Sequence, residues 1–141
     1  MYIKTLMCIS VLISITTLQV QSADTNLQLI MQGLRDDAVE ISDGLLIDDF
    51  SMVANGAARI ANHARIPPEQ VQLVAAELGA EMAAFKHLDT LVHDLAVSIA
   101  SAAEKNDRER AISDYQQMLN NCLACHAAYK TRVSAVLGSG E

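Results

Sequence analysis

The chain predicts an all-α fold, an antiparallel bundle of four helices. Three observations point to it. Apolar residues recur at three- and four-residue steps over long stretches, the spacing that lines one face of a helix. No convincing strand signal interrupts them. The breaks between periodic stretches are short and built from Asp, Asn and Pro, residues that stop one helix and start the next.

Residues 1–22 read as an export signal. Lys4 is its one charge, and Leu6 to Leu18 is a nearly continuous apolar or hydroxylated run. Val20 and Ser22 set small residues at the -3 and -1 positions of a cut before Ala23. At about 13 residues the run is short of the roughly twenty that span a bilayer, which ranks cleavage above a retained anchor. The expected location is the periplasm, with no membrane attachment after cleavage. Residues 23–141 then form one domain.

Four helical segments follow. The first runs from about Thr25 to Ile47, with Leu27, Ile30, Met31, Leu34, Ala38 and Ile41 on its apolar face. Asp48 and Asp49 punctuate, and either can cap a second helix carrying Phe50, Val53, Ala57 and Ile60. Pro67 and Pro68 break that helix, because proline cannot continue a helix interior. The third begins with Glu69 in its first turn and continues through Val74, Leu78, Met82, Phe85, Leu88 and Val92 to Ile99. Asn106 and Asp107 close it and cap the fourth, whose inner face includes Ile112, Tyr115, Leu119, Cys122 and His126. Gly138 to Glu141 is a frayed tail. Each apolar face is too wide to leave in water, so the four helices pack together.

Charge and cysteine content narrow the function. The formal net charge is -7, and loss of Lys4 with the signal makes it -8. Such an acidic chain is a poor partner for nucleic acid or an anionic membrane, but not for a basic patch on another protein. Of three cysteines, Cys8 leaves with the signal. The remaining two belong to one motif, so none is left for a structural disulfide.

That motif is Cys122-Leu123-Ala124-Cys125-His126. Two thiols three positions apart, followed at once by an imidazole, is the attachment pattern of a c-type haem. Residues i and i+3 share a helix face, so both sulfurs reach the two vinyl groups on one porphyrin edge. His126 is placed to be the proximal ligand of the iron. A zinc site needs further Cys or His at ligand spacing, and no second pair exists. A redox dithiol belongs beside a βαβ pattern, which is missing here.

The motif sits near the C-terminus on the last helix and continues as Ala127-Ala128-Tyr129-Lys130. In this the whole mature chain resembles the cytochrome c′ family, the four-helix-bundle c-type cytochromes including their low-spin members. The family usually has arginine where Lys130 stands; lysine keeps the charge but loses the planar donor fork. The resemblance, aligned on Leu29-Ile30-Met31, implies that Met31 faces the distal side of the iron. A length argument agrees. At ~1.5 Å per residue Met31 is about 9 Å and His126 about 16 Å from their shared end of the bundle. Met82, about 20 Å up the third helix, is more simply core. Leu27, Leu34, Met82, Phe85, Tyr129 and Lys130 are the expected haem surroundings. His63, His87 and His93 read as helix-end or surface residues, and Met52 and Met118 as core filler.

The expected function is a periplasmic electron carrier with one covalent haem c and His/Met-ligated iron. Its partner is another redox protein. The alternative is a five-coordinate iron, crowded but not ligated by Met31, that binds nitric oxide or carbon monoxide. Open-site members of the family that the chain resembles often carry a basic residue one turn before the distal position; Leu27 stands there instead, which favours the carrier. No acid/base pair supports an enzyme. The resemblance also implies a homodimer through helices one and two, with Leu46 and Ile47 at their junction.

Overall fold

The computed structural model describes residues 26–138. The export segment, with Lys4, Cys8 and the cut before Ala23, lies outside the described residues, as do residues 139–141. All regular secondary structure among the described residues is helical, and none of these helices is long and apolar enough to cross a membrane.

Helix α1 spans Leu27–Ile47 and α2 spans Phe50–Ala61. Asn26 caps α1, its side-chain oxygen accepting from the Leu29 amide at 2.9 Å. A second amide of that first turn without a partner inside the helix, that of Leu27, donates to Gln70 Oε1 at 2.8 Å. The two aspartates at the junction divide the work. Asp48 takes the left-handed conformation (φ 62°) and ends α1. Asp49 caps α2, accepting from the Ser51 and Met52 amides, both at 3.0 Å.

Helices α1 and α2 approach closely at two glycines. A Cβ on Gly44 would lie 2.9 Å from the Asp49 carbonyl oxygen and from Val53. One on Gly56 would lie 2.9 Å from the Asp37 carbonyl oxygen and from Ile41. Any side chain would force the pair apart.

The third segment differs from the sequence expectation of one continuous helix. It is divided into α3 (Pro68–Leu78), a 3-10 turn (Gly79–Glu81) and α4 (Met82–Glu104). Gly79 takes φ 51° and ψ -119°, which a helix interior cannot contain. Arg132 grips the break from outside. Its Nε donates to Glu77 Oε1 (3.0 Å), and its terminal nitrogens donate to Glu81 Oε1 (2.8 Å) and the Glu77 carbonyl (3.2 Å). Met82 is therefore the first residue of a new helix, and the length argument that put it far up a straight one fails.

Helix α5 spans Arg108–Val136, capped by Asp107, whose side chain accepts from the Arg110 amide. The closely packed neighbours are α1 with α2, α2 with α4, and α4 with α5; α3 lies on α5. The core falls into two clusters. The first is centred on Ile41, Val53, Ile60, Ile99 and Met118. The second joins Leu27, Val74, Leu78, Tyr129 and Val133, with one helix end from each of α1, α3 and α5. The only buried charged side chain among the described residues, Asp114, accepts from Ser98 Oγ (2.6 Å) and Arg110 Nε (2.5 Å), which satisfies its charge.

Candidate functional site

Helix α5 carries Cys122, Cys125, His126, Tyr129 and Lys130 on successive turns. Both cysteines are free thiols and half-buried. Cys122 packs against the first core cluster and Cys125 against the second, so the pair bridges the seam between them. Burial raises the pKa of both thiols, and for Cys125 the nearby Asp89 carboxylate raises it further. A reactive redox dithiol needs the opposite, a lowered pKa in an electropositive setting.

Around Cys125 the second cluster gathers Leu27, Met82, Phe85 and Tyr129, four of the six expected haem surroundings, together with Met31, the expected distal ligand. The Phe85 and Tyr129 rings meet edge to face, 5.6 Å between centroids at 81°. Leu34 is separated from that group and packs on the first cluster with Cys122. His126 and Lys130 are exposed. Met31 and Met82, from different helices, bring two thioethers to the same cluster.

The register between α1 and α5 comes from Tyr115, whose hydroxyl donates to the Ala38 carbonyl at 2.8 Å. From that tie, α1 leads back to Leu27 and α5 leads on to Tyr129, and both arrive in the second cluster. Met31 stands seven residues before Ala38, and Cys122 seven after Tyr115. At ~1.5 Å per residue each stands about 10 Å along its own helix from the tie.

The remaining candidates fall outside this group. His87 and His93 are exposed, and His93 Nδ1 is 3.1 Å from Asp94. His63 is half-buried, with Nδ1 hydrogen-bonded to the Ala64 carbonyl at 2.7 Å. Met118 is fully buried in the first cluster. Leu46 and Ile47 are 80% and 68% exposed, so core packing does not account for them.

Sequence reasoning missed three contributors. Val74 and Leu78 wall the site from α3, and their periodicity was visible but assigned to a helix running straight past. The Arg132 clamp joins residues more than fifty positions apart, for which no local signal exists. Tyr115 was read as inner-face packing, and its hydroxyl bond to α1 depends on the tertiary fold.

Among the described residues no group of three or more His, Cys, Asp or Glu side chains converges as a metal cluster would. The donor set is different: two half-buried thiols, an adjacent exposed imidazole and a thioether packed against the second cluster. The two thiols would serve to tether a porphyrin through thioethers, and the imidazole and the thioether would be candidates to hold its iron. Comparison with protein-family models, curated proteins and solved structures finds no match to this chain.

Proposed function

We propose that this chain is a c-type haem protein of the cytochrome c′ kind. In this reading it is an antiparallel four-helix bundle exported to the periplasm, where it carries electrons. One observation carries the proposal: a Cys-x-x-Cys-His sequence with two half-buried thiols, of which Cys125 packs against the same apolar cluster as Met31. Cys122 and Cys125 would tether the haem, and His126 and Met31 would hold its iron. The bound haem supplies a one-electron iron centre, whose potential a thioether ligand raises.

The chain's own residues do the rest. Leu27, Phe85 and Tyr129 exclude water on one side of the seam and Leu34 on the other, which lowers the local dielectric. Lys130, exposed one turn past the motif, puts a positive charge on the surface near the haem. Its role in recognising a redox partner is electrostatic steering. The exposed pair Leu46 and Ile47 supports a homodimer through α1 and α2, because such a patch is normally covered.

The test is an absorption spectrum of protein matured in a host that attaches c-type haem, oxidised and reduced, with and without carbon monoxide. A low-spin spectrum with a methionine–iron charge-transfer band, unchanged by the gas, is expected. The band should vanish in Met31→Ala and persist in Met82→Ala. A high-spin spectrum that shifts with the gas would assign the protein to the gas-binding alternative. Absence of haem absorbance would overturn the reading altogether.

A further inference from the structure

Helix α3 is held to the molecule differently from the other helices. It lies on α5 and touches α4, outside the close pairing of α1 with α2, α2 with α4 and α4 with α5. Pro67 and Pro68 open it without a side-chain cap, and the 3-10 turn at Gly79–Glu81 follows its end. Beneath it is the second core cluster. Val74 and Leu78, 2% and 3% exposed, join Leu27, Tyr129 and Val133 there, and Cys125 packs against the same group.

Three attachments keep α3 in place. At its start Gln70 Oε1 accepts from the Leu27 amide at 2.8 Å. In its middle Val74 and Leu78 make the apolar contact. At its end Arg132 holds the Glu77 carboxylate (3.0 Å), the Glu77 carbonyl (3.2 Å) and, across the break, the Glu81 carboxylate (2.8 Å). Arg132 and both glutamates are partly exposed, so dissolved salt screens their attraction.

The break itself depends on one residue. Gly79 takes φ 51° and ψ -119°, a conformation that an L side chain adopts only under strain. Across it the apolar pattern is that of a single helix, for Val71, Val74, Leu78, Met82 and Phe85 follow at three- and four-residue steps. The sequence therefore suits two arrangements. In the bent one α3 lies on α5 and Arg132 ties the bend. In the straight one Gly79 takes helical angles, α3 continues α4, and Val74 and Leu78 leave the second cluster. Residues 62–67, which join α3 to α2, form no helix. Extended, such a link reaches about 20 Å, more than the roughly 16 Å length of α3, so it does not hold α3 down.

We propose that α3 is a lid over the second cluster, hinged at Gly79 and latched by Arg132, which opens by straightening into α4 while the rest of the bundle stays folded. The lid stands on the packing of α3 alone. What it screens rests on the haem reading, in which it governs access to the site from beside Cys125.

Thiol alkylation of the full mature chain tests it, with site-resolved mass spectrometry to separate each thiol from the motif cysteines. Val74→Cys puts a small apolar thiol under the lid, and Val53→Cys puts one in the first cluster, where only whole-chain unfolding exposes it. Val74→Cys should react roughly tenfold faster or more than Val53→Cys. Raising salt from about 0.01 to 1 M should speed Val74→Cys by about threefold, the worth of partly exposed ion pairs, and leave Val53→Cys unchanged. Adding Arg132→Gln should speed Val74→Cys by roughly tenfold, because the carbonyl bond goes too, and remove the salt response. Gly79→Ala should favour the straight helix, and slowed hydrogen exchange at the amides of residues 79–82 would distinguish straightening from local melting. Should Val74→Cys fail to fold, Leu78→Cys replaces it. Equal rates at the two thiols, a salt-insensitive Val74→Cys, or unslowed exchange at residues 79–82 in Gly79→Ala would overturn the proposal.

Discussion

The Tyr115 hydroxyl donates to the Ala38 carbonyl at 2.8 Å, and that bond sets the level of α5 against α1. It reaches across 77 positions of sequence and lies two helical turns from Cys122. The ring is half-buried beside the first core cluster, and burial raises the phenol pKa. Further along the two helices, Met31 and Cys125 pack against the second core cluster and Cys122 against the first.

Replacement of Tyr115 by Phe keeps the ring and removes the bond. The Ala38 carbonyl also lies within α1, so it retains its helical donor and is not orphaned. The expected loss is therefore about 1 kcal/mol, the net worth of one hydrogen bond. In a domain of this size that lowers Tm by about 4 °C. Thermal unfolding of both proteins checks it, and a loss of several kcal/mol would mean that the hydroxyl supports more than one contact.

The glycines of α1 should respond in opposite directions. Gly44→Ala drives a methyl group into the Asp49 carbonyl and Val53, and should destabilise by about 1–3 kcal/mol. Gly33→Ala meets no neighbour and should stabilise by about 0.5–1 kcal/mol through the unfolded state. Denaturant midpoints of the two variants, measured side by side, decide it.

The thiols of the haem-free chain should alkylate slowly. Burial holds both above the ordinary cysteine value, so less thiolate is present at any given pH than in a free peptide. Asp89→Asn removes the adjacent negative charge that adds to the effect at Cys125. Its iodoacetamide reaction profile should therefore move to lower pH for Cys125 and stay in place for Cys122. Equal movement of both profiles would contradict this geometry.

Acid should uncouple the cap of α2. The Asp49 carboxyl is held below its usual range, first by the Ser51 hydroxyl and then by the Met52 amide. A depressed folded-state pKa gives stability that is fully present above the unfolded value, near 4, and is lost as pH falls through the folded one. The difference in Tm between the parent protein and Asp49→Ala should stay constant from pH 7 to about 5. It should then shrink as the pH approaches 2. A difference that grows on acidification would reverse the sign of the argument.

Much of this fold was legible because helix formation is local. The apolar spacing of α1, α2 and α5 follows from 3.6 residues per turn, and Asp49 and Asp107 act as caps through amides two or three residues away. The break at Gly79 was not legible. Val71, Val74, Leu78, Met82 and Phe85 keep helical spacing straight through it, and a lone glycine is tolerated in a helix. Only the positive φ and the grip of Arg132 on Glu77 and Glu81 reveal two helices.

The candidate site divides along the same line. Cys122, Cys125 and His126 are adjacent in sequence, so their common helix and the chemistry they suit required no knowledge of the fold. That Met31 and Met82 share one apolar cluster with Cys125 while Leu34 lies in another was decided by tertiary packing. These relationships join α1, α4 and α5 across many residues. Their physical origin is the matching of side-chain volumes and hydrogen bonds between helices, which sequence spacing does not encode. Spacing along one helix is set by the backbone; level and facing between helices are set by what fills the space they enclose.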